Sequence, residues 1–205
     1  MFTGIVTAIG TIARVERRGD FRITIACPFD PAMIAIGASI ACSGVCLTVV
    51  AKGGTKGDAS FTVDISDETV SRTASGMWNE EAPLNLEPSL KLGDEMGGHI
   101  VTGHVDAVGK VIAVEPVGDS LKVTVAAPRS LAPYIAAKGS ITVNGVSLTV
   151  NTVEDRDDGE AHFTLNIIPH TAEATTLNRL GQGTEVNLEA DAIARYLHRM
   201  QMLRS

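Results

Sequence analysis

Thr3-Gly4-Ile5-Val6-Thr7-Ala8-Ile9-Gly10 returns later in the chain as Thr102-Gly103-His104-Val105-Asp106-Ala107-Val108-Gly109. Over the wider window of Met1 to Glu16 against Ile100 to Glu115, seven of sixteen positions are identical. Ser43-Gly44-Val45-Cys46-Leu47-Thr48-Val49-Val50 returns as Asn144-Gly145-Val146-Ser147-Leu148-Thr149-Val150-Asn151, and Asn85-Leu86-Glu87 returns as Asn187-Leu188-Glu189. The offset grows from 99 to 102 residues down the chain, so the copies differ only by small insertions of the kind loops absorb. A period this long exceeds that of solenoid repeats and marks two whole domains.

The 205 residues are enough for two units that each bury a core. A formal net charge of -7 with no basic run argues against nucleic acid or an anionic membrane as the main partner. The apolar start, Met1 to Ile12, lacks leading Lys or Arg and is broken by Gly4 and Gly10, which is not a signal-peptide pattern. No apolar stretch approaches the ~18 residues of a membrane span. Three cysteines, Cys27, Cys42 and Cys46, form no disulfide-dense pattern, so a reducing cytoplasm is the expected compartment.

Each copy reads as six short β-branched runs broken by Gly, Pro and Asp. In the first these are Gly4 to Ala13, Phe21 to Ala26, Ala38 to Ala41, Cys46 to Val50, Ser60 to Ile65 and Pro83 to Glu87. In the second they are Gly103 to Ala113, Leu121 to Ala126, Gly139 to Val143, Ser147 to Val153, His162 to Ile167 and Glu185 to Glu189. Six strands per copy fit a small closed barrel or sandwich, because closure removes exposed edges. Ser66-Asp67-Glu68-Thr69 and Pro169-His170-Thr171 read as starts of short helices at the barrel ends, one by its capping side chain and the other by its proline. The expected domains are 1–98, 99–190 and a C-terminal segment, 191–205, with no counterpart in the first copy. There Asp191 is a fair N-cap, and Ile193, Tyr196, Met200 and Leu203 recur at steps of three and four. A helix this short is marginal alone and must pack on its own barrel or on symmetry mates.

Positions where the copies disagree inside a shared motif are the candidates for chemistry: Cys46 against Ser147, Ile5 against His104, Ser43 against Asn144, Glu68 against His170 and Gly37 against Lys138. Cys46 can act as a weak hydrogen-bonding group, nucleophile or base; the bland alternative is a small buried strand residue. His99 and His104 flank the junction into the second copy and can move protons near neutrality, or else be satisfied by backbone in a turn. Thr48 with Cys46, and Thr149 with Ser147, place small polar groups two apart on one strand face. A solvated surface residue is the bland reading of Lys138. Neither Cys-x-x-Cys nor His-Glu-x-x-His occurs, so no metal is expected. A phosphate cradle for FMN or FAD is missing too, with no Gly-rich loop with Lys and no Arg cluster, and the Arg-x-Tyr-Ser expected of a flavin-reductase barrel is absent, since no Arg stands two residues before Tyr134 or Tyr196.

The opening Met-Phe-Thr-Gly-Ile-Val, Gly-Val-Cys-Leu-Thr-Val, the Gly97-Gly98-His99-Ile100-Val101-Thr102-Gly103-His104-Val105 junction, Asn-Gly-Val-Ser-Leu-Thr-Val and Val-Asn-Leu-Glu together resemble the alpha-type riboflavin synthase family over essentially the whole chain. The resemblance implies an all-β fold of two similar six-stranded Greek-key barrels, short helices and a C-terminal helix that holds a homotrimer. It implies one 6,7-dimethyl-8-ribityllumazine per barrel, and transfer of a four-carbon unit between the two lumazines to give riboflavin and 5-amino-6-ribitylaminouracil, without metal or organic cofactor. Association with lumazine synthase is a further partner expectation of the resemblance.

Carried onto this chain, Cys46, His99, His104 and Ser147 become the catalytic candidates. Phe2, Gly4, Ile5, Val6, Ser39, Cys46, Leu47, Thr48 and the run Asp64, Ile65, Ser66, Asp67, Glu68, Thr69 become ligand contacts from the first copy. Gly103, His104, Val105, Lys138, Ser147, Leu148, Thr149 and the run Asn166, Ile167, Ile168, Pro169, His170, Thr171 become those of the second. Phe2 is expected to line the first pocket. A reaction between two copies of one molecule needs two pockets with like recognition and different jobs, which duplication followed by divergence supplies. Holding the two rings together can contribute roughly 7–11 kcal/mol to lowering a barrier. The competing readings are a non-catalytic lumazine- or riboflavin-carrying protein, in which one pocket would decay, and a ligand-free double barrel.

Overall fold

The computed structural model describes residues 1–204. The first copy is a closed barrel of β1 (Ala8–Arg18), β2 (Asp20–Cys27), β3 (Ser39–Cys42), β4 (Val45–Thr55), β5 (Asp58–Ile65) and β6 (Pro83–Pro88), in the order β1-β2-β5-β4-β3-β6. The second copy is a curled sheet of β7 (Ala107–Val117), β8 (Ser120–Ala127), β9 (Ser140–Val143), β10 (Val146–Thr149), β11 (Thr152–Asp155), β12 (Ala161–Ile167) and β13 (Glu185–Ala190), in the order β10-β9-β13-β7-β8-β12-β11. Alternation packs each interior solid: Ile12, Ile23, Ile25, Phe61 and Leu84 fill the first, and Val111, Val123, Val125, Phe163 and Leu188 the second. That leaves the outer faces and the barrel ends as the places where a ligand can sit.

The sequence read one strand over Ser147 to Val153, and the fold has two, β10 and β11. The matching point of β4 carries a register shift between Val49 and Ala51, at which the strand turns from β3 to β5. In the second copy the same bend is sharp enough to break the ladder: Val150 N–H goes to Gly139 O and Asn151 N–H to Thr164 O. The two first strands also begin later than read, at Ala8 and Ala107, because the residues before them take other partners.

Those residues form two arms that cross between the barrels. Phe2 and Val101 exchange backbone hydrogen bonds of 2.8 and 3.0 Å, joining the arms. Gly4 O accepts from Ser147 N–H and Gly103 O from Cys46 N–H, both at 2.8 Å. Each copy's arm is thus a strip along the other copy's barrel. Two buried asparagines bind the barrels further. Asn85 Nδ2 donates to Asn144 O and its Oδ1 accepts from Thr176 N–H; Asn187 Nδ2 donates to Ser43 O and its Oδ1 accepts from Ala74 N–H.

Helix α1 (Asp67–Ser71) starts at Ser66, whose Oγ accepts from Thr69 N–H, and α2 (Pro169–Ala174) has its proline in the first turn. Helix α3 (Ala192–Met202) is capped by Asp191, whose Oδ1 accepts from Ile193 N–H. Arg195 to Asp106, and His198 edge-on to Tyr134 at 4.8 Å, tie one side of α3 to the second barrel. Ile193, Tyr196, Met200 and Leu203 are 52 to 71% exposed, so the periodic seam is not used on the parent barrel. Ser205, the last residue of the expected C-terminal segment, lies outside the described residues. No helix among the described residues is long and apolar enough to cross a membrane.

Candidate functional site

On β4 the even positions face outward, so Cys46 and Thr48 point away from the core and stand opposite Ala41 and Ser39 of β3. Near the end of β5, two residues before Ser66, Asp64 is exposed on the outward side. The arm of the second copy closes this face. Val45, Cys46, Glu68, Thr69, Arg72, Thr73, Gly103, His104 and Val105 line an open cavity of about 240 Å³. Six of those residues were expected from sequence; Val45, Arg72 and Thr73 were not. Arg72 ends the short helix that the sequence located at Ser66 and reaches Glu68 Oε1 at 2.8 Å, an i,i+4 pair whose place on the cavity wall shows only once the second copy's arm is seen to lie opposite.

The second barrel repeats the plan with different groups. Ser147 and Thr149 stand opposite Thr142 and Ser140, with Asn166, Ile168 and His170 exposed further along the chain. Here the edge is the first copy's arm: Gly4 O accepts from Ser147 N–H, and a Cβ at Gly4 would lie 2.6 Å from Ser147 Cβ. His99 Nδ1 lies 2.7 Å from Ser147 Oγ, and His99 N–H donates to Thr3 O. The two histidines that are close in sequence therefore serve different faces, His104 beside Cys46 and His99 on Ser147. His99 Nε2 is buried with no hydrogen-bond partner among the described residues. Burial holds the imidazole below its ordinary pKa, against the opposing pull of Asp191 and Glu189. A neutral ring near pH 7, bonded to a hydroxyl through one nitrogen and with a free second nitrogen, can accept a proton.

Other expected residues divide by strand alternation. Phe2, Leu47, Ile65 and Ile167 are buried, so their side chains belong to the core and only their backbone meets an outer face. Phe2 packs with Ala41 and Val101 behind Cys46 rather than on the open face. Leu148 is half-buried, and Ile5 is 47% exposed at the position that His104 takes in the other copy. Val6 packs against the second barrel's core. Asp64 is held by Arg22 through bonds of 2.7 and 2.8 Å, which keep its carboxyl below the usual carboxylate range. Asp67 pairs with Arg17, and Thr171 O accepts from Thr175 Oγ1. Lys138 occupies an exposed left-handed turn, its N–H bonded to Val150 O. Ser43 and Asn144 lie between the barrels, away from both outer faces. Three or more metal-ligating side chains come together nowhere among the described residues.

Sequence reasoning missed Glu87 and Glu189. Both are buried, at 5% and 2% exposure, and each carboxylate grips an arm. Glu87 accepts from Thr3 N–H, Thr3 Oγ1 and Gly4 N–H at 2.7 to 2.9 Å. Glu189 accepts from Thr102 N–H, Thr102 Oγ1, Gly103 N–H and His104 N–H at 2.6 to 3.1 Å. The signal was present, since both glutamates close the repeated Asn-Leu-Glu.

The family model described as the lumazine binding domain matches this chain twice, at residues 3–89 and 102–191. The chain belongs to the lumazine-binding domain family. Among curated members, it is 44% identical to a riboflavin synthase of Brucella abortus (strain 2308) over 202 residues, covering 98% of both chains. To a riboflavin synthase of Mycobacterium tuberculosis (strain ATCC 25618 / H37Rv) it is 43% identical over 203 residues, again covering 98% of both. Solved structures of this lumazine-binding fold include LumP complexed with riboflavin, at TM-score 0.76 and 27% identity, and LumP complexed with 6,7-dimethyl-8-(1'-D-ribityl) lumazine, at 0.74 and 26%. In both cases 93% of this chain and 99% of the other are covered.

Proposed function

We propose that this chain is a riboflavin synthase, a transferase that moves a four-carbon unit between two 6,7-dimethyl-8-ribityllumazines to give riboflavin and 5-amino-6-ribitylaminouracil. The observation that carries this is the pair of matched outer faces, each edged by the other copy's arm. Relatives named riboflavin synthase, at 35 to 44% identity over nearly the full chain, support it. In this reading residues 1–98 and 99–190 are the two binding units.

One lumazine lies on the Cys46, Thr48 and Asp64 face, and the other on the Ser147, Thr149 and Asn166 face. The strand hydroxyls and backbone read the dione edge, and the turns into α1 and α2 meet the ribityl hydroxyls. His99, kept neutral by burial, takes a proton from the acidic C7 methyl of one lumazine or from a water bound beside it, with Ser147 orienting the ring. His104 and Cys46 serve the other ring. Both faces are open on the side away from the barrel, so they require cover from a second copy, and residues 191–205 with the exposed seam of α3 supply the contact for a homotrimer. The cytoplasm is its compartment.

Likeness to LumP favours a second reading, a carrier of one lumazine or riboflavin. Purified protein given lumazine alone is expected to form riboflavin and the diaminouracil in equal amounts and to bind two ligands per chain. Saturation at one ligand with no flavin formed establishes the carrier instead.

A further inference from the structure

We infer that Glu189 and Glu87 are positioning residues, each buried in the closing strand of one barrel and each setting the edge of the ligand face on the other. The inference deepens the functional reading above and rests on it for its kinetic part.

The chain of contacts is short on both sides. Glu189, on β13 of the second barrel, takes four donors from Thr102, Gly103 and His104. Gly103 O in turn accepts from Cys46 N–H on the first barrel, and Gly103, His104 and Val105 wall the Cys46 cavity. Glu87, on β6 of the first barrel, takes three donors from Thr3 and Gly4, and Gly4 O accepts from Ser147 N–H on the second barrel. A carboxylate is an acceptor with two oxygens and no proton to donate, so it suits a turn that presents only N–H and O–H groups. A neutral amide in its place would turn an NH2 group toward one or two of those donors and leave them buried and unpaired.

The two grips differ in a way that bears on chemistry. Glu189 holds the N–H of His104 itself, whereas the matching Ile5 N–H goes to Thr3 Oγ1. Glu189 therefore fixes the residue whose side chain faces the ligand beside Cys46. Glu87 fixes only the turn before Ile5.

Kinetics and one local probe test this. In Glu189→Gln, kcat for riboflavin formation is expected to fall by about tenfold or more with a smaller change in KM, since the loss is one of positioning. Thr102→Val, which removes one of the four donors at constant shape, is expected to lower kcat several-fold, and Thr102→Ser to restore it. The local probe is alkylation of Cys46 by iodoacetamide, since Cys27 and Cys42 are buried and their thiols pushed up in pKa by desolvation. Labelling of Cys46 should accelerate in Glu189→Gln and Thr102→Val, and stay at the wild-type rate in Glu87→Gln. If kcat and Cys46 labelling in Thr102→Val both stay within about twofold of wild type, the inference is overturned, whether or not Glu189→Gln folds. A wild type that makes no flavin refutes the functional reading instead, and the labelling comparison then decides the positioning by itself.

Discussion

Replacing Gly103 by alanine should damage the Cys46 face while leaving both barrels folded. Gly103 has φ +78°, a conformation that costs an L side chain about 1–2 kcal/mol. The added Cβ would lie 2.6 Å from Cys46 Cβ and 2.9 Å from Cys46 N, where ordinary contact begins at 3.4 Å. The arm must retreat by roughly 0.8 Å, which stretches the 2.8 Å bond from Cys46 N–H to Gly103 O past useful length and adds about 0.5–1.5 kcal/mol. Stability should therefore drop by about 1.5–3.5 kcal/mol, which a chain of this size can survive. Displacement near 1 Å at a positioned site costs about 100-fold in rate, so riboflavin formation should fall by about 30- to 100-fold. The assay is single-turnover flavin formation, with circular dichroism to confirm the fold and a lumazine titration to count sites. Gly4→Ala, whose Cβ would lie 2.6 Å from Ser147 Cβ, should do the same to the other face. If either variant turned over at the wild-type rate with two ligands bound, the arms would not edge the faces and the site as drawn would be wrong.

Asn187→Ala orphans Ala74 N–H and Ser43 O between the barrels and should cost about 2–4 kcal/mol in urea unfolding; a loss under about 0.5 kcal/mol would mean the crossing bonds do not hold the barrels together. Because burial lowers the pKa of His99 from its ordinary 6.5, the folded state binds fewer protons there, and stability should fall as pH drops below about 6.5 and level off above it. His99→Gln should flatten that part of the pH profile, and an unchanged slope would place its cause elsewhere. Tyr196→Asp and Met200→Asp put charge on the exposed seam of α3 and should reduce the proposed trimer to monomers in sedimentation without lowering the urea midpoint of the monomer. A trimer that persists would move the interface to another surface.

The repeat and its alternation were enough to read two β units, because a packed barrel face demands period two along each strand and period two is visible in a single copy. Turn residues located the short helices, Ser66 and Pro169 each supplying a local reason for the chain to change direction. What the residues could not reveal was the crossing of the arms. Thr3-Gly4 and Thr102-Gly103 look like the first residues of long strands, since their apolar neighbours continue the pattern, and nothing local says that their amides go to a carboxylate some 83 to 87 positions away. Phe2, expected from the sequence to line the first pocket, has its side chain packed with Ala41 and Val101, and the side chains of Leu47, Ile65 and Ile167, expected as ligand contacts from the family resemblance, are buried, so that only their backbone meets an outer face.

The crossing explains how nearly identical frames acquire different chemistry. Were each face edged by its own copy's arm, a change in one arm would alter only the barrel it belongs to. As built, the first barrel's Cys46 shares a cavity wall with His104 of the second copy, and the second barrel's Ser147 bonds to Gly4 of the first, next to Ile5, with His99 reaching it from the junction. One face thus has an exposed histidine next to a thiol, and the other has a desolvated histidine bonded to a hydroxyl. In the proposed function, two copies of the same substrate settling on these faces would find like hydrogen-bonding edges and unlike proton acceptors. That is the asymmetry required to make one molecule give up carbon and its twin receive it. Exchanging the two sets tests the point: Ile5→His with His104→Ile should leave two ligands bound per chain, because the strand hydroxyls are untouched, yet slow flavin formation by about 10²-fold or more, because histidines would crowd one face and leave the other with only a thiol. Turnover preserved in that double variant would mean that the histidines are interchangeable and that positioning alone drives the reaction.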